Sequence, residues 1–330
     1  MQDGVLMRRK GLFFIILCLL ISLFSVSSVA YADELGNSVY LGGMPAGFSV
    51  YTKGAFVNGF SSVICNDGVY SPAKDAGVEI GDVILSINNV ETNNVLDIEK
   101  SLTDTNDKIL KIDRNLEIKY ITVKPKMDLS GNIKLGLFIR DGINGIGTIT
   151  YIKGNNFASL GHPVTTENGE IANICGGNIF SCNITGVIKG VKGRAGELRG
   201  VFLKDNVVGY IEKNIKTGVY GKINDNFKLN NLRKIELGKP NVGDAIIFST
   251  LSGSTPEEYT ISIIKVDKNR TTKDLVIKIT DEKLLENAGG IVQGLSGSPI
   301  IQCGKLVGAV THVFINDPTR GFAISIDNMQ

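Results

Sequence analysis

Histidine is scarce: the 330-residue chain holds only two, His162 and His312. Any chemistry that runs through an imidazole must use one of them. An excess of charge of either sign is also missing, since 35 Lys and Arg face 33 Asp and Glu. Nucleic-acid binders carry a basic footprint, so that class is disfavoured. Cysteine is sparse. Cys18 lies in an apolar N-terminal stretch, and Cys65, Cys175, Cys182 and Cys303 lie outside it. No histidine accompanies a close cysteine pair, so no spacing reads as a metal site. In an exported chain four cysteines allow three disulfide pairings, and free buried thiols fit equally well.

What is abundant is glycine, with 39 residues, together with frequent Val, Ile and Thr. That mixture favours short twisted strands joined by tight turns. At the N-terminus Arg8-Arg9-Lys10 precede the uncharged run GLFFIILCLLISLF, and Ala30-Tyr31-Ala32 follows as a small-residue cleavage pattern. A basic flank, an apolar core and an A-x-A end together read as a secretory signal. The stretch from Leu12 to Tyr31 also reaches the roughly 20 residues that span a bilayer. Residues 1–32 are therefore a signal peptide or a membrane anchor, and the chain beyond is expected to be exported.

Residues 36–123 form the first organised unit. SPAKDAGVEIGDVILSINN predicts a short helix with Ser71 as N-cap, Pro72 in its first turn and Gly77 at its end, then a strand over Val83–Ile87. Val95, Ile98 and Leu102 recur at helical spacing and predict a second helix. The succession resembles a PDZ domain, whose best local signature matches residues 71–94. The resemblance implies a groove that captures an extended peptide as an added strand, with Val95, Ile98 and Leu102 facing ligand or core. Gly47-Phe48-Ser49-Val50 is the candidate carboxylate-binding loop. From Lys124 to the C-terminus more than ten glycine-punctuated strands follow with no alternating helices, which predicts a sandwich or barrel.

Two stretches in that second unit carry chemistry. ASLGHPV delivers His162, and GLSGSPIIQCGKLVGAVTH places Ser296 in a tight turn ahead of a strand hairpin. A serine hydroxyl becomes a good nucleophile when a neighbouring base takes its proton, and His162 is the candidate base. Glycines around Ser296 allow the backbone N–H groups of Gly294 and Ser296 to aim at a developing oxyanion. Ser298 is a rival nucleophile by composition, but its place in the motif favours Ser296. A third group should orient the imidazole. Asp281, fifteen positions before Ser296, is the first candidate, and Asp244, Asp267 and Asp317 are alternatives. His312 is either a substrate contact or a structural histidine. Glu197 and Arg199 read as surface charges, and Gly290 is a candidate for the base of a primary pocket.

The His-then-Ser order, about 130 positions apart, resembles chymotrypsin-like serine proteases. Residues 278–329, with ASLGHPVTT and the PDZ-like unit upstream, resemble the SpoIVB peptidase family of endospore-forming bacteria. That resemblance implies a mostly β chain: an N-terminal signal or transmembrane helix, a PDZ domain over 36–123, and a chymotrypsin-like double β-barrel over 124–330. It implies a His162, Asp281 and Ser296 triad with no metal or cofactor. Pro163 is a departure, because the family usually has a non-proline residue after Gly-His. The implied function is a serine endopeptidase in the space between forespore and mother cell. It would cleave itself and a membrane-bound regulator, leading to activation of the mother-cell sigma-K factor. The competing reading is an inactive PDZ-type scaffold, and a peptidase acting mainly in cis is a third.

Overall fold

The computed structural model describes residues 37–329, apart from 116, 141, 167 and 168. The expected leader over 1–32 lies outside the described residues. Among those that are described, no helix is long and apolar enough to cross a membrane.

Strands β1 (Ser38–Leu41) and β2 (Pro45–Thr52) come first. Next are β3 (Ala55–Phe60), helix α1 (Pro72–Asp75), β4 (Val83–Ile87), helix α2 (Val95–Ser101), β5 (Lys108–Arg114) and β6 (Glu117–Val123). The middle of the chain supplies β7 (Leu137–Arg140), β8 (Ile143–Lys153), β9 (Asn156–Ser159), β10 (Ile174–Ile188), β11 (Glu197–Ile215) and β12 (Gly218–Ile223). The last third supplies β13 (Lys234–Glu236), β14 (Gly243–Ser249), β15 (Glu257–Val266), β16 (Leu275–Ile279), helix α3 (Glu282–Ala288), β17 (Pro299–Gln302), β18 (Lys305–Phe314) and β19 (Asp317–Ser325).

These strands make two rings and one open sheet. In the first ring the order is β9-β12-β11-β10-β2-β8, and β8 pairs with β9 to close it; β1 and β13 extend the sheet from β8. The second is the closed barrel β14-β15-β16-β19-β18-β17. Alternation drives each ring, because successive strand residues face opposite sides. In β15, Tyr259, Ile261 and Ile263 are buried, and in β16 Leu275, Ile277 and Ile279 are buried. At about 1.5–3 kcal/mol for each large apolar side chain removed from water, such rows outweigh any local propensity. One core fills the second barrel (Ile247, Ile261, Ile277, Ile300), and another fills the first ring (Phe48, Ile149, Phe157, Ile179). The mostly β, double-barrel architecture is the one the sequence predicts.

The open sheet has the order β7-β3-β4-β5-β6 and its own core, which includes Val57, Ala73, Ile84, Ile98 and Leu110. Its helix boundaries follow the sequence: Ser71 and Pro72 start α1, and Asn94 caps α2 by accepting from Asp97 N–H at 2.9 Å. Buried Asp82 holds Arg114 through two hydrogen bonds of 2.7 Å, which ties the loop after α1 to β5. The sheets cut across the expected boundary between 36–123 and 124–330. β1 and β2 belong to the first ring, and β7 crosses over to line the open sheet beside β3. The expected carboxylate loop, Gly47-Phe48-Ser49-Val50, sits inside β2, where β8 and β10 flank it on both sides. A doubly paired strand has no free edge for a peptide, so those residues do not form such a loop. The four described cysteines are free thiols.

Candidate active site

The turn bearing Ser296 is built from both rings. After α3 the chain runs beside the start of β11: Gln293 N–H donates to Gly196 O and Leu198 N–H to Gln293 O, each at 2.8 Å. Gly294 (φ +100°) and Gly297 (φ +92°) then reverse it. A Cβ on Gly297 would stand 2.1 Å from Thr148 O and 2.5 Å from Leu160 N, so no other residue fits that crossing. Strand β8 grips the turn. Thr148 N–H donates to Ser296 O at 2.9 Å, Thr148 Oγ1 to Gly294 O at 3.0 Å, and Thr150 Oγ1 to Gly297 O at 2.7 Å. Both threonines are fully buried, at 1% and 0% exposure, so these donors see no competing water.

His162 arrives from the opposite side. β9 ends in a left-handed pair, Leu160 (φ +65°) and Gly161 (φ +67°). A Cβ on Gly161 would meet Thr311 Cγ2 at 2.8 Å and Ile324 Cγ2 at 2.9 Å, so this turn lies directly on β18 and β19. The ring of His162 consequently packs on the ring of His312 in β18, with centroids 4.8 Å apart and planes tilted by 49°. Ser296 reaches the same strand, where its Oγ donates to Thr311 O at 2.7 Å. The His162 and Ser296 segments are thus brought together on one short piece of β18, residues 310–312.

The protonation of the pair follows from the contacts. His162 Nδ1 lies 2.8 Å from Pro163 O. A carbonyl only accepts, so Nδ1 carries the proton and Nε2 is left as the acceptor. Burial pushes the His162 pKa down, the Pro163 hydrogen bond opposes this, and the Lys273 charge adds to the lowering. His312 is pushed down to about 4 by burial, with smaller contributions from His162 and Lys273. Its Nδ1 is buried and has no hydrogen-bond partner among the described residues. Both imidazoles are therefore neutral at pH 7. Pro163, the departure from the family pattern, supplies the carbonyl that fixes the tautomer.

Neither Gly294 N–H nor Ser296 N–H donates to a protein acceptor among the described residues. Two backbone donors of the Ser296 turn are therefore left unspent.

Asp281 is not part of this cluster. It is the N-cap of α3: Oδ1 accepts from Leu284 N–H at 2.9 Å and Oδ2 from Thr260 N–H at 3.2 Å. Val276 pairs with Phe322, which pairs with His312. Asp281 lies beyond the end of β16 at Ile279, where its N–H donates to Thr260 O at 3.1 Å. The carboxylate expected to orient His162 serves a helix end instead, and a backbone carbonyl holds the imidazole. The alternatives are also occupied elsewhere: Asp267 with Lys265 and Arg270, and Asp317 with Arg320 and Thr319, while Asp244 lies on β14 with its backbone carbonyl accepting from Gln302. Glu197 and Arg199 pair with each other at the surface. Gly290 packs against the Pro318 carbonyl. Ser298 is fully buried and bonded, so it is not positioned to attack a substrate.

Away from this centre, Val95 and Ile98 of α2 and its C-cap Leu102 line one groove of about 470 Å³ together with Leu137 and Ile139 of β7. Among the described residues β7 is the edge strand of its sheet, paired with β3. It is preceded by Leu135-Gly136, with Gly136 at φ +74°. Sequence reasoning missed Lys273, Thr148 and Thr150. The signal for the threonines was present: in GTITYIK the two polar residues fall on one face of a strand that is otherwise apolar.

The family model of SpoIVB peptidase S55 matches residues 131–330, well over half of the chain. The chain belongs to the SpoIVB peptidase S55 family. The match covers both rings from β7 onward, including His162, Asp281 and Ser296. No curated protein matches the chain. Membership makes this a SpoIVB-type serine peptidase acting on protein substrates.

Proposed function

We propose that Ser296 is the nucleophile and His162 the general base of this S55 peptidase. The meeting of the Ser296 turn and the Gly161-His162 turn on β18 carries the reading. In the resting arrangement the Ser296 proton is held by Thr311 O. Attack requires rotation of the hydroxyl toward His162 Nε2, which takes the proton as Oγ bonds to the scissile carbonyl carbon. The carbonyl oxygen becomes an oxyanion facing Gly294 and Ser296 N–H, each donor worth about 3 kcal/mol in the transition state. His162 then returns the proton to the leaving amine, and water repeats the cycle on the acyl-enzyme. His312 flanks the base as a neutral imidazole.

The wider assignment follows the family. The peptidase is exported, cleaves its own chain and a membrane-bound sporulation regulator, and so leads to sigma-K activation in the mother cell. The open sheet is a PDZ-type module. An extended peptide would add along Leu137–Ile139 of the edge strand β7 beside α2, with Gly136 at the carboxylate end; Leu135-Gly136-Leu137-Phe138 takes the place of the loop expected at residues 47–50. The engagement of Ser296 Oγ with Thr311 O favours one alternative, a catalytically silent PDZ-type scaffold. Purified chain lacking residues 1–32 decides between them. Ser296→Ala and His162→Ala should each abolish cleavage of the wild-type's own N-terminal region and of an unstructured protein substrate. Undiminished cleavage by Ser296→Ala would overturn the assignment.

A further inference from the structure

An oxyanion site works only if its donors point the right way before the charge develops. A peptide unit is planar and trans, so fixing its carbonyl fixes its N–H in the opposite direction. The Gly294 N–H shares a plane with Gln293 C=O, which accepts from Leu198 N–H at 2.8 Å. The Ser296 N–H shares a plane with Leu295 C=O. That carbonyl accepts from Ser298 Oγ at 2.6 Å and from Ser298 N–H at 3.0 Å.

Ser298 in turn lies 2.7 Å from Ser249 Oγ, at the end of β14. Ser298 has one hydroxyl proton, and Leu295 O can only accept, so that proton is spent there. Ser249 must therefore donate to Ser298. The chain Ser249 → Ser298 → Leu295 O runs entirely at 0% exposure. Two hydroxyls in a packed apolar core have no solvation to gain, and a pair of alanines would leave no orphan there. Stability alone does not call for them.

We infer that Ser249 and Ser298 are positioning residues for the oxyanion site: their hydroxyl relay locks the Leu295–Ser296 peptide so that Ser296 N–H faces the substrate carbonyl. This rests on Ser296 being the nucleophile. It gives Ser298, which stands where the commonest form of the nucleophile motif has glycine, a role of its own.

The test uses Ser298→Ala, Ser249→Ala and the double variant of the exported chain, with thermal melting as a control. Wild type must first react with diisopropyl fluorophosphate at Ser296; no reaction there overturns both the nucleophile assignment and the relay. With a reactive wild type, Ser298→Ala should lower kcat about tenfold, part of the 10²–10³ lost with a whole donor. KM should stay within twofold. The affinity of phenylboronic acid, which forms a tetrahedral adduct on serine, should fall by the same factor as kcat. Ser249→Ala, which keeps the Ser298 hydroxyl and tests the relay should Ser298→Ala fail to fold, should lower both a few-fold. The double variant should melt near wild type yet keep the kinetic loss. If all three variants keep kcat and boronate affinity within twofold of wild type, the relay is refuted while the peptidase assignment stands.

Discussion

The imidazoles of His162 and His312 lie 4.8 Å apart, centre to centre, and both are held neutral by burial. Neutrality is what a base needs, and the shift has a sign that can be measured. The His162 pKa is lowered, so kcat/KM should fall only on acidification below the ordinary imidazole value near 6.5. An acid limb at or above 6.5 would contradict the burial.

His312 adds a stability term. Its pKa falls from 6.5 when exposed to about 4 in the fold. The unfolded chain therefore binds the extra proton first. The contribution is complete above 6.5 and is lost as pH falls from 6.5 through about 4. The melting temperature of wild type should drop across that window, and His312→Phe should flatten the drop. An unchanged pH slope in the variant would rule this source out.

Asp281 separates two accounts. As an N-cap it is largely replaceable by asparagine, whose one acceptor oxygen keeps the Leu284 N–H but not the Thr260 N–H, so Asp281→Asn should melt slightly below wild type and keep most activity. Asp281→Ala should lose about 1 kcal/mol of stability. An acid that orients the imidazole behaves differently, since its amide variant loses about 10⁴ in kcat. Kinetics on the folded Asn variant decide between the two.

How much of this was written in the chain is clearest at single residues. The Gly161-His162 turn, the Ser296 turn and the starts of α1 and α2 were legible because each depends on a local backbone requirement: a positive φ, a cap, a proline at a first turn. The capping place of Asp281 was not drawn from the sequence although its signal was local too. It precedes the helix Glu282–Ala288, which ends at Gly289 in a left-handed conformation, and that pair of boundary signals marks a cap. The exchange of β2 for β7 at the edge of the open sheet had no such signal. Both segments alternate and carry glycine, and the choice is set by which partner buries Phe48 and Val50 in the first ring core.

Thr148 should be sensitive even to an isosteric change. Thr148→Val leaves the buried Gly294 carbonyl without its 3.0 Å donor, which should cost about 1–3 kcal/mol in chemical denaturation. Thr148→Ser restores the donor and should recover most of it. Equal losses in both variants would assign the effect to packing.

Gly297→Ala should be more damaging. It forces a side chain into φ +92° and against Thr148 O, and such backbone strain alone costs about 1–3 kcal/mol. Melting and proteolysis of the purified variant check this, and wild-type stability would mean that the two rings do not meet as closely as described.

The most direct measurement maps a fluorophosphonate adduct by peptide mass spectrometry on folded wild-type and His162→Ala protein. Stoichiometric labelling of Ser296 in wild type, slowed by orders of magnitude in His162→Ala, is the predicted result. Labelling of a different serine, or equal labelling rates with and without His162, would contradict the pairing of the two turns as a working active site.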